Sequence, residues 1–179
     1  MDYLGNDIEM IEGKRVELRE IEEDDLERIV RWRNDQDNLK WLFSYRPLCM
    51  ASQRKWYERY LEDDSLQTFI IELKKDHKPI GTISLSDIDH KNQRGEMGIL
   101  IGEKEFRGKG LGRESLELLM DYAFSQVNLG KIKAHVFSDN QGAIKLYEQC
   151  GFVLEGTLRK EIYKDGHFKD VCIMSAFRD

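Results

Sequence analysis

The succession of strand and helix patterns predicts an α/β fold of the α+β kind, a mixed central sheet with helices packed on both faces. Three observations carry this. The apolar runs 69–73 and 80–85 flank a Lys-Asp-His-Lys-Pro turn, as the strands of an antiparallel hairpin do. Strand 94–102, a long amphipathic helix and strand 131–138 then follow in the order of a strand–helix–strand crossover. A second hairpin closes the chain around Lys164-Asp165-Gly166-His167.

Residues 1–12 are expected to form a short leader that either adds a strand or stays loose. Residues 14–20 alternate apolar and polar side chains, the period of a half-buried strand. Between Glu23 and Asp37, the residues Leu26, Ile29, Val30 and Arg33 recur at helical spacing, and a second helix is expected from Ala51 to Glu62. Leu116, Leu119, Met120, Ala123 and Val127 give the clearest helical period in the chain. Asn140 to Cys150 reads as a short helix that Gly151 stops. No linker, repeat or low-complexity stretch interrupts this order, so residues 1–179 are expected to make one domain.

Hydrophobic residues make up 40% and charged residues 35% of the chain, the balance of a soluble globular protein. No apolar run approaches the roughly 18 residues of a membrane span. The first residues, Met1 to Asp7, lack the basic and apolar regions of a secretory signal. Cys49, Cys150 and Cys172 are odd in number and widely spaced, which fits neither a disulfide framework nor a zinc site. His77, His90, His135 and His167 are scattered, and no metal is expected. A reducing cytoplasm is the expected compartment. The net charge of −6 disfavours nucleic-acid binding and is compatible with a cationic amine as substrate.

Against that acidic background, Arg107 to Arg113 holds three basic residues, three glycines and no acid. A Walker loop needs Lys-Ser/Thr after its second glycine, and a dinucleotide fingerprint needs Gly-x-Gly-x-x-Gly; glycines at 108, 110 and 112 fit neither. The amides of Gly108, Lys109, Gly110, Leu111 and Gly112, at the N-terminus of a helix, suit a pyrophosphate, and Arg107, Lys109 and Arg113 add charge. Taken alone, the segment reads equally well as a plain strand-to-helix turn.

Arg107-x-x-Gly110-x-Gly112, followed by Asn140-x-x-Ala143-x-x-x-Tyr147-x-x-x-Gly151-Phe152, resembles the GNAT superfamily of N-acetyltransferases, from about Lys14 to the end of the chain. The resemblance implies a GNAT-like, mostly antiparallel sheet and direct transfer from acetyl-CoA to an amine in a ternary complex. It assigns the CoA pyrophosphate to the glycine-rich turn and the pantetheine to the strand residues Ile99, Leu100 and Ile101. Asn140, with Ala143 in the same motif, is implied at the pantetheine arm. Leu154 to Arg159, with Gly166, Asp170, Met174 and Ser175, is similar to the branch of ribosomal-protein N-terminal and polyamine acetyltransferases. Arg31-Trp32-Arg33-Asn34-Asp35 is similar to enzymes acetylating amino sugars on nucleotide carriers. Polyamine, amino sugar and protein N-terminus all remain open as acceptors.

Amide formation from a thioester needs a neutral amine, a stabilised oxyanion and a protonated leaving thiolate. Glu96 is the candidate base. It shares a strand face with Gly98 and Leu100, opposite Met97, Ile99 and Ile101, and Gly98 leaves space beside its carboxylate. The plainer reading is an ion pair with Arg94. Tyr147 is the candidate acid, a phenol with an ordinary pKa of about 10 on the helix face of Ala143, Leu146 and Cys150. The plainer reading is a core tyrosine, and the resemblance favours catalysis. An amide near Ile99 to Ile101 is the expected oxyanion donor. Trp41 and Tyr45, in the aromatic connection between the first two helices, are expected to line the amine pocket or cap the core. A CoA-binding module without catalysis is the alternative from another class; the presence of both Glu96 and Tyr147 speaks against it. Edge strands near the C-terminus allow a homodimer.

Overall fold

The structure is a computed structural model that describes residues 10–178. Most of the expected leader, residues 1–9, lies outside the described residues. Its last residues form β1 (Met10–Glu12), followed by β2 (Val16–Glu20), β3 (Gln67–Leu73), β4 (Lys78–Asp89), β5 (Arg94–Ile101), β6 (Lys131–Phe137), β7 (Val153–Lys164) and β8 (His167–Phe177). The helices are α1 (Leu26–Asn34), α2 (Gln36–Leu39), α3 (Met50–Tyr60), α4 (Leu111–Ser125) and α5 (Gln141–Gln149). All eight strands share one sheet in the order β1-β2-β3-β4-β5-β6-β8-β7. Every neighbouring pair is antiparallel except β5 and β6. The mixed, mostly antiparallel sheet is the one the sequence predicts.

Strand alternation sorts the apolar side chains into two layers. On one face Val16, Leu18, Ile71, Ile83, Leu85, Met97, Ile132 and Ala134 pack with Leu116, Leu119 and Ala123 of α4 and Tyr147 of α5. On the other, Ile70 and Leu100 meet Leu26, Ile29 and Trp32 of α1 and Trp56, Tyr57 and Tyr60 of α3. Here the expected helix from Glu23 to Asp37 needs correction. Asp35 is extended (φ −62, ψ 129), its carboxylate accepts from the Asp37 amide at 2.9 Å, and the helix restarts as the short α2. A cap that bonds its own backbone two residues on outcompetes helix continuation. The buried face is consequently Leu26, Ile29 and Trp32, while Arg33 is only half-buried.

Two features of the sheet position the site. Pairing of β5 with β6 stops after Arg94↔Lys131, Gly95↔Ile132 and Glu96↔Lys133, although β5 runs on to Ile101 and β6 to Phe137. The two strands diverge from Glu96 onward, leaving an opening inside the sheet. At the far end, Asp165 and Gly166 both take positive φ (52 and 83), so the Asp-Gly pair makes the tight turn between β7 and β8 that its sequence predicts.

Candidate active site

The glycine-rich turn connects β5 to α4. Gly108 and Gly110 have φ of 71 and 78, a region in which side chains with a Cβ are strained, and Gly110 is the N-cap of α4. Gly112 has no such demand: a Cβ there meets Ile101 and Leu146 only at ordinary contact distances of 3.6 and 3.8 Å. Packing within the chain therefore leaves its bareness unexplained, whereas close approach of a ligand to the backbone explains it. The basic side chains depart from expectation. Arg107 turns inward: its Nε donates to the Ile101 carbonyl at 3.0 Å, and its Nη2 reaches the Asn38 side chain and the Gly102 carbonyl. Arg113 pairs with Glu117 at 2.7 Å. Lys109, lying over the Phe106 ring at 5.4 Å, is the one of the three whose side chain has neither an ion pair nor a hydrogen bond among the described residues. The anion site therefore rests on backbone amides and the helix N-terminus more than on side-chain charge.

Arg15, from the β1–β2 turn, steadies this loop. Its guanidinium donates to the Lys109 carbonyl at 3.0 Å and to Glu114 in the first turn of α4 at 2.8 Å. On the opposite side, buried Asn38 of α2 donates to the carbonyls of Trp32 at 2.9 Å and Gly102 at 3.2 Å, and Arg107 completes the clasp. Trp32 lies so close to Gly102 that a Cβ would stand 2.3 Å from its ring. Helices α1 and α2 are thereby stitched to the root of the cofactor loop. Sequence reading missed Arg15 and Asn38, since both act through partners more than sixty positions away.

Glu96 stands where β5 and β6 part, and Tyr147 is near enough to feel its charge. The Glu96 carboxylate is about a quarter exposed and stands 2.8 Å from Nδ1 of His135. Arg94, the expected competitor, pairs with Asp89 instead. A Cβ on Gly98 meets only the Ser84 hydroxyl at 3.4 Å, so the space beside Glu96 is real. Tyr147 is 5% exposed and packs on Phe152 with ring centroids 5.4 Å apart. Burial pushes its phenol up to about 12, helped by the Glu96 charge. Its hydroxyl makes no hydrogen bond among the described residues, so it is free for a ligand. Ile99, Leu100 and Ile101 continue the unpaired part of β5, their backbone edge open on the β6 side. Asn140 caps α5, its Oδ1 accepting from the Ala143 amide at 3.2 Å, so only its amide nitrogen remains for a pantetheine arm. Cys150, half-buried with its thiol pushed up to about 11 mainly by burial, is no nucleophile at neutral pH.

The aromatic connection packs against the ends of β6 and β7. Lys164, buried at the end of β7, donates to the carbonyls of Leu42 and Ser44 at 2.6 and 3.0 Å, and Phe43 sits edge-on to Phe137 at 4.8 Å. A cleft of about 480 Å3 opens between α2 and this hairpin, lined by Gln36, Leu39, Lys40, Tyr45, Tyr163, Lys164 and Asp165. Tyr45 thus faces a cavity. Trp41 does not; it lies under the ammonium groups of Lys40 and Lys169. Glu96 and Tyr147 do not line this cleft. A second cluster lies away from both, at the β2–β3 end of the sheet. There His77 Nδ1 stands 3.1 Å from each of two buried carboxylates, Glu17 and Glu72, and Glu72 is also held by Arg19. The scattered histidines of the sequence thus acquire two defined partners.

The sheet splays between two parallel strands, with a glycine-rich helix N-terminus following the open strand, the arrangement that the sequence's resemblance to N-acetyltransferases implies. The comparisons agree. The family profile for the acetyltransferase (GNAT) domain matches residues 15–153, and the chain belongs to that family. The spermidine N(1)-acetyltransferase of Escherichia coli is 30% identical over 163 residues, 91% of this chain and 86% of that protein. A putative ribosomal N-acetyltransferase of Bacillus subtilis is 27% identical over 174 residues, 93% of each chain. The crystal structure of spermidine N-acetyltransferase from Vibrio cholerae in complex with CoA and spermine superposes with a TM-score of 0.87 at 30% identity, covering 92% of this chain and 96% of that one. A dodecameric structure of the same Vibrio protein matches with a TM-score of 0.81 at 31% identity, covering 92% and 95%. The protein is an acetyl-CoA-dependent N-acetyltransferase.

Proposed function

We propose that the enzyme acetylates a primary amine of a polyamine, with the acetyl thioester lying along Ile99 to Ile101 and the CoA pyrophosphate on the amides of Gly108 to Gly112. The observation that carries the site is the end of β5–β6 pairing at Glu96, which opens an amide edge between Glu96 and Tyr147. Glu96 takes the amine proton, directly or through water, and an amide near Ile99 to Ile101 receives the oxyanion. Tyr147 donates toward the leaving sulfur. Its raised pKa refines that role. Full transfer from a phenol at about 12 to a free thiolate of ordinary pKa, about 8.5, is uphill. The hydroxyl therefore serves best as a hydrogen bond to sulfur as the intermediate collapses. Asn140 and Ala143 contact the pantetheine side, with Arg107 and Arg113 shaping the loop and Lys109 nearest the phosphates.

The polyamine is supported by the spermidine acetyltransferases among the relatives and by the net charge of −6. A second reading is favoured by the cleft itself. Its lining sets Lys40 and Lys164 against one acid, Asp165, with Tyr45 and Tyr163 beside them. That chemistry suits an amine carrying an aromatic or anionic group, such as an amino sugar on a nucleotide carrier. Thiol release with spermidine, spermine, a nucleotide-linked amino sugar and an N-terminal peptide decides between them. The polyamine reading expects kcat/KM for spermidine to exceed the others by at least tenfold; a preference for the amino sugar overturns it. We further read residues 1–179 as one acetyltransferase domain working in the cytoplasm as a homo-oligomer. No helix of the described residues is long and apolar enough to cross a membrane, and the Vibrio relative is dodecameric.

A further inference from the structure

We propose that His135 is a positioning residue for acetyl transfer, holding the Glu96 carboxylate so that one oxygen faces the groove above Gly98. The inference rests on Glu96 being the base. Glu96 is the last residue of β5 that pairs with β6, and Lys133 is its partner in register. The carboxylate nevertheless reaches His135, two positions further along the same face of β6, with Oε1 2.8 Å from Nδ1. Lys133 makes no ion pair with Glu96, and no other cation lies within 4.0 Å of that carboxylate among the described residues. Both partners are about three-quarters buried, so the contact is largely shielded from solvent.

The choice of side chain matters chemically. A lone glutamate at the edge of an opening samples several rotamers, and each wrong one removes the base from the amine. A lysine or arginine would fix it, but a permanent cation would also make it a poorer proton acceptor. An imidazole is rigid, reaches the carboxylate from the next strand and need not carry charge. With Oε1 at His135, Oε2 has no partner among the described residues, and the strand neighbour Gly98 leaves open space, Ser84 being the only neighbour of an added Cβ there.

The test is steady-state kinetics of His135→Ala, His135→Asn and Glu96→Gln, singly, and of His135→Ala combined with Glu96→Gln. Asn places an amide nitrogen near the position of Nδ1. His135→Ala is expected to lower kcat about 10- to 100-fold with KM for acetyl-CoA unchanged, and His135→Asn to recover most of it. In the Glu96→Gln background the His135→Ala loss should shrink below about twofold, as coupled residues show. A slow Glu96→Gln enzyme beside a His135→Ala enzyme of normal kcat overturns the positioning role and leaves the base in place. An equal loss from His135→Ala in both backgrounds also overturns it, as a structural effect. Normal turnover by Glu96→Gln removes the base and the positioning role together.

Discussion

At the scale of single residues, environment decides what a side chain can do. Tyr147 was legible in the sequence as an inward tyrosine at a motif position, but its use as a hydrogen-bond donor follows from burial beside Glu96. Tyr147→Phe should lower kcat by about 10²-fold or more while KM for acetyl-CoA stays within threefold, checked by initial rates at saturating amine. His77 shows the reverse, a residue set aside in the sequence that folding gives a role. Hydrogen bonds that its protonated ring donates to Glu17 and then Glu72 raise its pKa above the ordinary value. A group whose folded pKa is raised lends stability that is fully present below the unfolded pKa, about 6.5, and is lost as pH rises through the folded value. Melting temperature should therefore fall as pH is taken upward from 6.5, and His77→Ala should flatten that slope. Equal slopes for both proteins would contradict the pairing.

At the scale of elements, boundaries written in local chemistry were readable and long-range clasps were not. The long helix announced itself through Leu116, Leu119 and Ala123, all fully buried against the sheet. The break at Asp35 was written in Asn34-Asp35, two residues that favour caps, but regular apolar spacing on both sides masked it. Nothing local announces that Asn38 reaches Trp32, Gly102 and Arg107. Asn38→Ala removes the three hydrogen bonds that its side chain makes and should cost about 1–3 kcal/mol in denaturant unfolding. Because the clasp ties α2 to the cofactor loop, the same variant should raise KM for acetyl-CoA several-fold. Leu119→Ala, at a comparable cost of about 2–5 kcal/mol, should leave that KM unchanged.

At the scale of the molecule, the fold brings an open strand edge, a helix N-terminus and two proton-handling side chains to one opening. The mixed, mostly antiparallel sheet followed from the sequence pattern plus the resemblance at Arg107, Gly110 and Gly112, whereas the order of its strands came only from the structure. The acceptor did not follow from the sequence, because the connection from Lys40 to Cys49 is positioned by Lys164, Phe137 and Lys169, all distant in sequence. Donor recognition has a global readout, since a ligand that binds only the native state raises its stability by about 2.7 kcal/mol at a hundred times its Kd. CoA and acetyl-CoA should each raise the melting temperature, and ATP and NAD should not.

The central claim is that Glu96 takes the amine proton and Tyr147 hydrogen-bonds the leaving sulfur while the loop and open strand hold the donor. The most direct measurement is single-turnover acetyl transfer by the double variant Glu96→Gln/Tyr147→Phe, alongside acetyl-CoA affinity by calorimetry. The account predicts unchanged affinity and transfer slowed by about 10³-fold or more. Transfer at the wild-type rate would contradict it.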